Sequence, residues 1–296
     1  MSKYKITCCS TVDMPIEFFT SRNVPIAYYH FEMDGKEYID DMGKSIPIKE
    51  FYERVQNGAM PVTSQINAAA YTKLFEPILM EGYDIIHLTM SSGITGSINS
   101  AKLARDDLLQ RFPDRKLYIA DSLAASSGYG LLVDTVLDMR DNDVPIDEVY
   151  NWLEENKLYL HHWVFASDLK HLKRGGRVSS ASAIVGSLLN ICPIINVNEN
   201  GHLIPRDKIR GRKNAGVELF SKMKEFARGG LDYSGKCFIS NAACPEDAIA
   251  LKALVENTFP KITGEVLVND IGTVIGSHTG VGTVALFFWS DTKRTE

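Results

Sequence analysis

The chain has 296 residues, of which 45% are apolar and 23% charged, and a formal net charge of −5 at pH 7. That length and balance describe one large or two ordinary globular domains with a sizeable core, and exclude a disordered chain. The acidic charge, with neither a basic recognition helix nor an aromatic RNA-binding signature, argues against nucleic acid as a partner.

Five cysteines without CxxC spacing suggest neither a disulfide framework nor a zinc site, and fit a reducing cytoplasm. The most apolar run, 181–197, is interrupted by Asn190, Pro193 and Asn196. It is too broken to span a membrane, and the first residues lack the apolar core of a signal peptide.

In chain order, 5–9 reads as a short buried strand, followed by Ser10-Thr11-Val12-Asp13-Met14-Pro15, a turn with several helix-capping options. Segments 25–32 and 36–39 flank Asp34-Gly35 as an antiparallel hairpin. Then come a helix at 67–80, a strand at 84–90, a helix at 98–111, a strand at 116–120 and a helix at 128–139. Strands separated by helices imply a parallel sheet, so the first half reads as a doubly wound α/β domain. After Pro145 a helix runs to about residue 156, and a strand at 160–166 opens a second pattern. Strands 194–197 and 202–205 flank Asn198-Glu199-Asn200-Gly201, and further strands fall at 236–240, 265–269 and 284–289. The second half therefore reads as an α/β domain with a mixed or antiparallel sheet. The boundary is expected near residue 160, giving domains 1–160 and 161–296.

The most informative stretch is Ser91-Ser92-Gly93-Ile94-Thr95-Gly96-Ser97, where hydroxyls and glycines join a strand to a helix. Such a junction presents N–H groups, hydroxyls and the positive helix end to one point, where an anion can sit. Thr63-Ser64-Gln65-Ile66-Asn67 precedes a helix and reads either as a simple N-cap or as a second hydroxyl site. The junction Asp121-Ser122-Leu123-Ala124-Ala125-Ser126-Ser127-Gly128 is a third. Loops at the carboxyl ends of parallel strands converge on one crevice, so these turns share a candidate ligand. Near the C-terminus, glycines 272, 276, 280 and 282 surround His278 in what reads as a glycine-rich turn.

A Ser/His hydrolase or acyltransferase pairing Ser92 or Ser126 with His278 has to be weighed, but no G-x-S-x-G elbow occurs. A Walker A pair is absent, and the C-terminal glycines do not match a dinucleotide fingerprint, which disfavours a nucleotide cofactor. From Lys170 to Lys213, nine basic side chains face two acidic ones. This local +7 is either a solvated face or a docking face for an acidic partner or a phosphate. Lys173-Arg174-Gly175-Gly176-Arg177 favours the latter, because the glycines leave the Arg177 guanidinium free to engage oxygens.

Together these segments resemble the DegV family, whose members bind fatty acids and include the FakB subunits of bacterial fatty acid kinase. The resemblance rests on Ser10 to Pro15, Thr63-Ser64-Gln65, Ser91 to Ser97, Asp121-Ser122, Asp168-Leu169 with Gly175-Gly176-Arg177-Val178-Ser179, Pro193-Ile194-Ile195 and Ile275 to Gly280. Departures include Cys9 where the family commonly has aspartate, Ile66-Asn67 where Pro-Ser is common, and Val281 in place of a proline.

The resemblance implies two α/β domains with a long-chain fatty acid held between them. Its carboxylate positions match Thr63, Ser92, Gly93 and His278, and its arginine for phosphoryl transfer matches Arg177. A separate ATP-dependent kinase subunit would phosphorylate the bound carboxylate to an acyl-phosphate. This chain would then be a non-catalytic, cytoplasmic substrate carrier with no cofactor of its own. Ser64, Ser91 and Ser126 are further candidates to line the ligand, and an apolar helix containing Ile184, Val185, Leu188, Leu189 and Ile191 is a candidate wall. The alternatives are the Ser92/His278 hydrolase or acyltransferase, and lipid storage or sensing without a kinase; transient contact with a membrane surface is compatible with all of them.

Overall fold

A computed structural model describes residues 3–167, 169–178 and 190–295. The first half comprises β1 (Tyr4–Cys9), α1 (Ile16–Arg22), β2 (Ile26–Ala27), β3 (His30–Met33), β4 (Lys36–Ile39), α2 (Ile48–Gln56), β5 (Val62–Ser64), α3 (Ala68–Met80), β6 (Asp84–Thr89), α4 (Ser97–Arg111), β7 (Leu117–Asp121), α5 (Ser126–Asp141) and α6 (Ile146–Asn156). The rest comprises β8 (Leu160–Phe165), α7 (Lys170–Arg174), β9 (Ile191–Val197), β10 (Leu203–Arg210), α8 (Arg212–Phe226), β11 (Phe238–Asn241), α9 (Pro245–Thr258), β12 (Leu267–Asp270), α10 (Thr273–Thr279) and β13 (Val284–Trp289).

Strand β6 is buried at all six positions, as a central strand of a parallel sheet must be. It lies between β1 and β7 in the order β2-β1-β6-β7, and every pair is parallel. A second sheet has the order β10-β9-β8-β13-β11-β12; its pairs are antiparallel except β11 with β12, so it is mixed. A small antiparallel sheet, β4-β3-β5, completes the set among the described residues. The fold is thus α/β, with a parallel sheet in the first half and a mixed sheet in the second.

Local chemistry explains most boundaries. Asn67 caps α3 by accepting from the Ala70 N–H at 2.9 Å. Pro145 precedes α6, whose first turn carries Asp147 and Glu148 towards the positive end of its dipole. Helix α5 is buried on all sides from Ser126 to Asp134, because it packs on β1 and also on β8, β11 and β13. That double burial requires a glycine at 128: a Cβ there would lie 2.5 Å from His162 Nε2 and would also strike Phe287.

Three expectations are corrected. The strand read at 25–32 divides: Ile26–Ala27 pairs with β1, whereas His30–Met33 pairs with β4 and β5. Between them the Tyr29 N–H donates to Ser10 Oγ at 3.1 Å and the Tyr29 carbonyl accepts from the Asp40 N–H, so its backbone is taken by loop groups. The glycine-rich turn around His278 is helical, with Gly276 N–H to Gly272 O at 2.8 Å and Gly280 N–H to Gly276 O at 2.9 Å. Asp40 holds its start by accepting from Thr273 Oγ1 at 2.7 Å. Finally, Ile191, read as the end of an apolar helix, opens β9; Ile184, Val185, Leu188 and Leu189 lie outside the described residues.

Candidate functional site

Side chains two apart on a strand share a face. On three neighbouring strands of the mixed sheet this aligns His162 with Val164, Ile195 with Val197, and Ala285 with Phe287, along one wall of a cavity. Its lining is mostly apolar, as in cavities that hold small organic ligands. The opposite wall comes from the first half: Met90, Ile94 and Thr95 follow β6, and Ala125 and Ser126 lead into α5. Helix α10 closes a third side with Val274, Ile275 and His278.

The polar groups gather where β5, α7 and α10 meet. Helix α10 packs against β3 and β5, which brings Thr63 Oγ1 to 2.9 Å from His278 Nε2. Behind the imidazole runs the turn after α7: the Arg177 guanidinium donates to the Gly175 carbonyl, and Arg174 Nη2 donates to Ser277 O at 3.3 Å. Gly175 is required by this approach, since a Cβ there would run into His278 Nδ1. Burial, then Arg177, then Arg174 lower the His278 pKa from 6.5 to about 4. The ring is therefore neutral at neutral pH, beside two guanidinium groups and, among the described residues, with no carboxylate bonded to it. An anion arriving there gains charge-assisted donors and relieves the electrostatic penalty on the imidazole.

Ser126 also lines the cavity, in the left-handed region at φ 54°. Its Oγ donates to Asp13 Oδ2 at 2.5 Å and lies 3.1 Å from Ser240 Oγ. Asp13 is buried, and that burial together with nearby Asp40 pushes its carboxyl well above the usual range. Ser64 lines the cavity mouth, and its Oγ donates to His30 O at 3.4 Å.

The turn after β6 is used differently. Ser91 is fully buried; its Oγ donates to Gly201 O at 2.8 Å and accepts from the Gly93 N–H at 3.1 Å. Gly93 rests against the Asn200 and Gly201 backbone, and exposed Ser92 donates its N–H to Asp121 Oδ1 at 3.1 Å. The cavity is lined by Thr63, Ser64, Ser126, Arg177 and His278, but not by Ser91, Ser92 or Gly93. Among the described residues no hydrogen bond joins His278 to a serine, so the geometry of a Ser/His nucleophile is not present.

Thr95, inside the hydroxyl-rich turn after β6, lines the cavity; residues passed over in the sequence include Tyr29, His162 and Phe287. Strands β8 and β13 are buried along nearly their whole length, so no alternation marked which of their residues face the cavity, and Tyr29 carried no signal. Among the described residues no group of three or more His, Cys, Asp or Glu side chains is placed to hold a metal ion, and no helix is long and apolar enough to cross a membrane.

The cavity thus joins an apolar lining, drawn from both halves of the chain, to a neutral histidine flanked by arginines. The sequence model described as "Uncharacterised protein, DegV family" matches residues 3–291, and the chain belongs to that family. It is 38% identical over 294 residues to a DegV domain-containing protein of Clostridium perfringens, covering 99% of this chain and 100% of the other. It is 32% identical to a fatty acid-binding protein of Thermotoga maritima, over 95% of this chain and 96% of the relative. The structure of a fatty acid-binding DegV family protein from Thermus thermophilus superimposes with a TM-score of 0.86 at 26% identity, covering 97% of this chain and 99% of that one.

Proposed function

We propose that this chain binds one long-chain fatty acid, with the carboxylate against Thr63 and His278 and the acyl chain along the sheet wall. The observation that carries the reading is the Thr63–His278 pair, 2.9 Å apart at the polar end of an otherwise apolar cavity. A fatty acid has the same division of chemistry. Each buried methylene contributes about 0.8 kcal/mol, so a long chain brings on the order of 10 kcal/mol before the loss of freedom is subtracted. The Thermotoga and Thermus relatives, both described as binding fatty acids, support it.

The bound carboxylate is the substrate of a separate kinase subunit. A carboxylate oxygen attacks the γ-phosphorus of ATP held by that subunit, the bond to the β-phosphate oxygen breaks, and acyl-phosphate and ADP result. Arg177 is the side chain given the task of steadying the incoming phosphoryl oxygens, and the basic segment around it suits an acidic docking partner or the phosphates themselves.

Solvent extraction and mass spectrometry of freshly purified protein should yield one long-chain fatty acid per chain. An empty protein that also fails to take up added oleate or palmitate overturns the reading. With a candidate kinase subunit and ATP, Arg177→Ala should keep its lipid and lose acyl-phosphate formation; unchanged turnover removes Arg177 from the transfer step.

A further inference from the structure

We propose that Arg212 is a positioning residue for the carboxylate end of the cavity: it pins the loop that leads into α7 to the turn that leaves α10, and so sets how Arg174 and Arg177 stand to His278. This rests on the fatty-acid reading above and adds the group that holds its head-group site in shape.

Arg212 opens α8 and does not line the cavity. A cation at the first position of a helix opposes the helix dipole, so local helix energetics do not account for it. Its contacts lie in other elements. Nε and Nη2 donate to Asp247 Oδ2, in the first turn of α9, at 2.8 and 2.7 Å. Nη1 donates to Ser167 Oγ at 2.5 Å and to the Gly282 carbonyl at 2.7 Å. The guanidinium carbon lies 5.2 Å from the centre of the Phe165 ring, at the end of β8. Asp247 therefore fixes the plane of the fork, and the other arm of the fork holds two chain segments together.

Both segments lead to the polar end of the cavity. Strands β8 and β13 pair as far as Phe165 with Val284, and beyond that pair the ladder stops. Gly282 is buried at φ 84°, and its N–H donates to the Ala242 carbonyl at 2.7 Å. Its own carbonyl then depends on Arg212 and on Ser167 Oγ, which donates to it at 3.2 Å. A Cβ at 282 would strike both Ser167 Oγ and Arg212 Nη1, so the contact closes only on a glycine.

His278 stands four residues before Gly282, in the last turn of α10, and α7 begins three residues after Ser167, with Arg174 in it and Arg177 just beyond. Helix α7 spans five residues, too few to fix its own place, so its position is set by packing on α10 and by the anchor at Ser167. That packing tolerates little slip, because Gly175 already lies against His278 Nδ1.

The test uses delipidated protein with octadecanoic acid and with octadecan-1-ol, which has the same tail and no carboxylate. Arg212→Lys keeps the charge but has a single nitrogen, which reaches either Asp247 or the Ser167–Gly282 pair. It should weaken octadecanoic acid binding by about tenfold and leave octadecan-1-ol within about twofold of the wild type. In an NMR titration of the His278 ring, the pKa should rise from about 4 towards 6.5, because Arg177 and Arg174 no longer stand as close to it. Ser167→Ala should move both readouts in the same direction by less, and it decides the question where Arg212→Lys does not fold. Equal losses for acid and alcohol, or a His278 titration unchanged in both variants, overturn the inference and leave the fatty-acid reading standing. A wild type that takes up neither ligand removes both.

Discussion

Two hydroxyl-bearing segments of the first half have nearly the same chemistry and opposite uses. Thr63 sits on β5 against α10 and turns its hydroxyl to His278 at the cavity; Ser91 sits after β6 and turns its hydroxyl to the Gly201 carbonyl. The first leaves its polar pair open to a ligand, while the second closes a contact between the two halves of the chain. A serine or threonine at a strand end is thus a donor whose purpose is set by what packs opposite. Thr63 faces a cavity with spare positive charge, and Ser91 faces a backbone carbonyl that would otherwise be buried without a partner.

The contrast can be broken by experiment, and the largest effect is expected from pH. His87, His161 and His278 all have lowered pKa values, about 3, 4 and 4, each chiefly through burial. The unfolded chain takes up these protons near pH 6.5 while the folded chain refuses them. Stability is therefore fully present above pH 6.5 and falls as pH drops towards 4, by about 1.4 kcal/mol per pH unit for each histidine. Urea denaturation of the delipidated protein across that window checks this. His278→Ala should flatten the slope by about one proton, and an undiminished slope would mean that the His278 ring is not held neutral by its surroundings.

Next in size come the head-group variants. His278→Ala and Thr63→Val should each weaken fatty acid binding by about 1 to 3 kcal/mol, with little loss of stability, because a charged acceptor loses a donor in a partly dry site. Titration calorimetry on the delipidated protein measures the first and urea midpoints the second. Ser91→Ala should do the reverse: a loss of about 1 to 2 kcal/mol in stability from the unpaired Gly201 carbonyl, and an unaltered affinity. An affinity loss in Ser91→Ala equal to that of Thr63→Val would erase the distinction between the two turns.

Ser92→Ala is the smallest and the most discriminating. The resemblance assigns Ser92 to the carboxylate, but the side chain is exposed and outside the cavity lining. Its replacement is expected to change affinity and stability by less than about 0.5 kcal/mol. A loss as large as that of His278→Ala would place the head group at the turn after β6 instead of at Thr63.

Legibility in the sequence follows the range of the forces involved. The βαβ alternation of the first half, the helix ends at Asn67 and Pro145 and the run of β13 come from periodicity and capping, which act over a few residues. The failures have a common cause. Glycines around His278 read as a turn because propensity disfavours helix there, yet Asp40, distant in sequence, caps that helix and α2 packs on it. Tyr29 breaks a strand because Ser10 and Asp40 compete for its backbone.

The amino-acid sequence determined the class of architecture, the family and the set of residue types that could hold an anion, because spacing and composition survive without coordinates. Only the tertiary structure decided which of those residues meet. Thr63 and His278 are 215 positions apart and become a pair through the packing of α10 on β5. Ser91 and Gly201 are 110 apart and become a latch through the docking of a turn on a hairpin. A hydroxyl in either place has the same local sequence signature, and the energy that assigns its partner is exerted across the fold, where no short-range pattern records it.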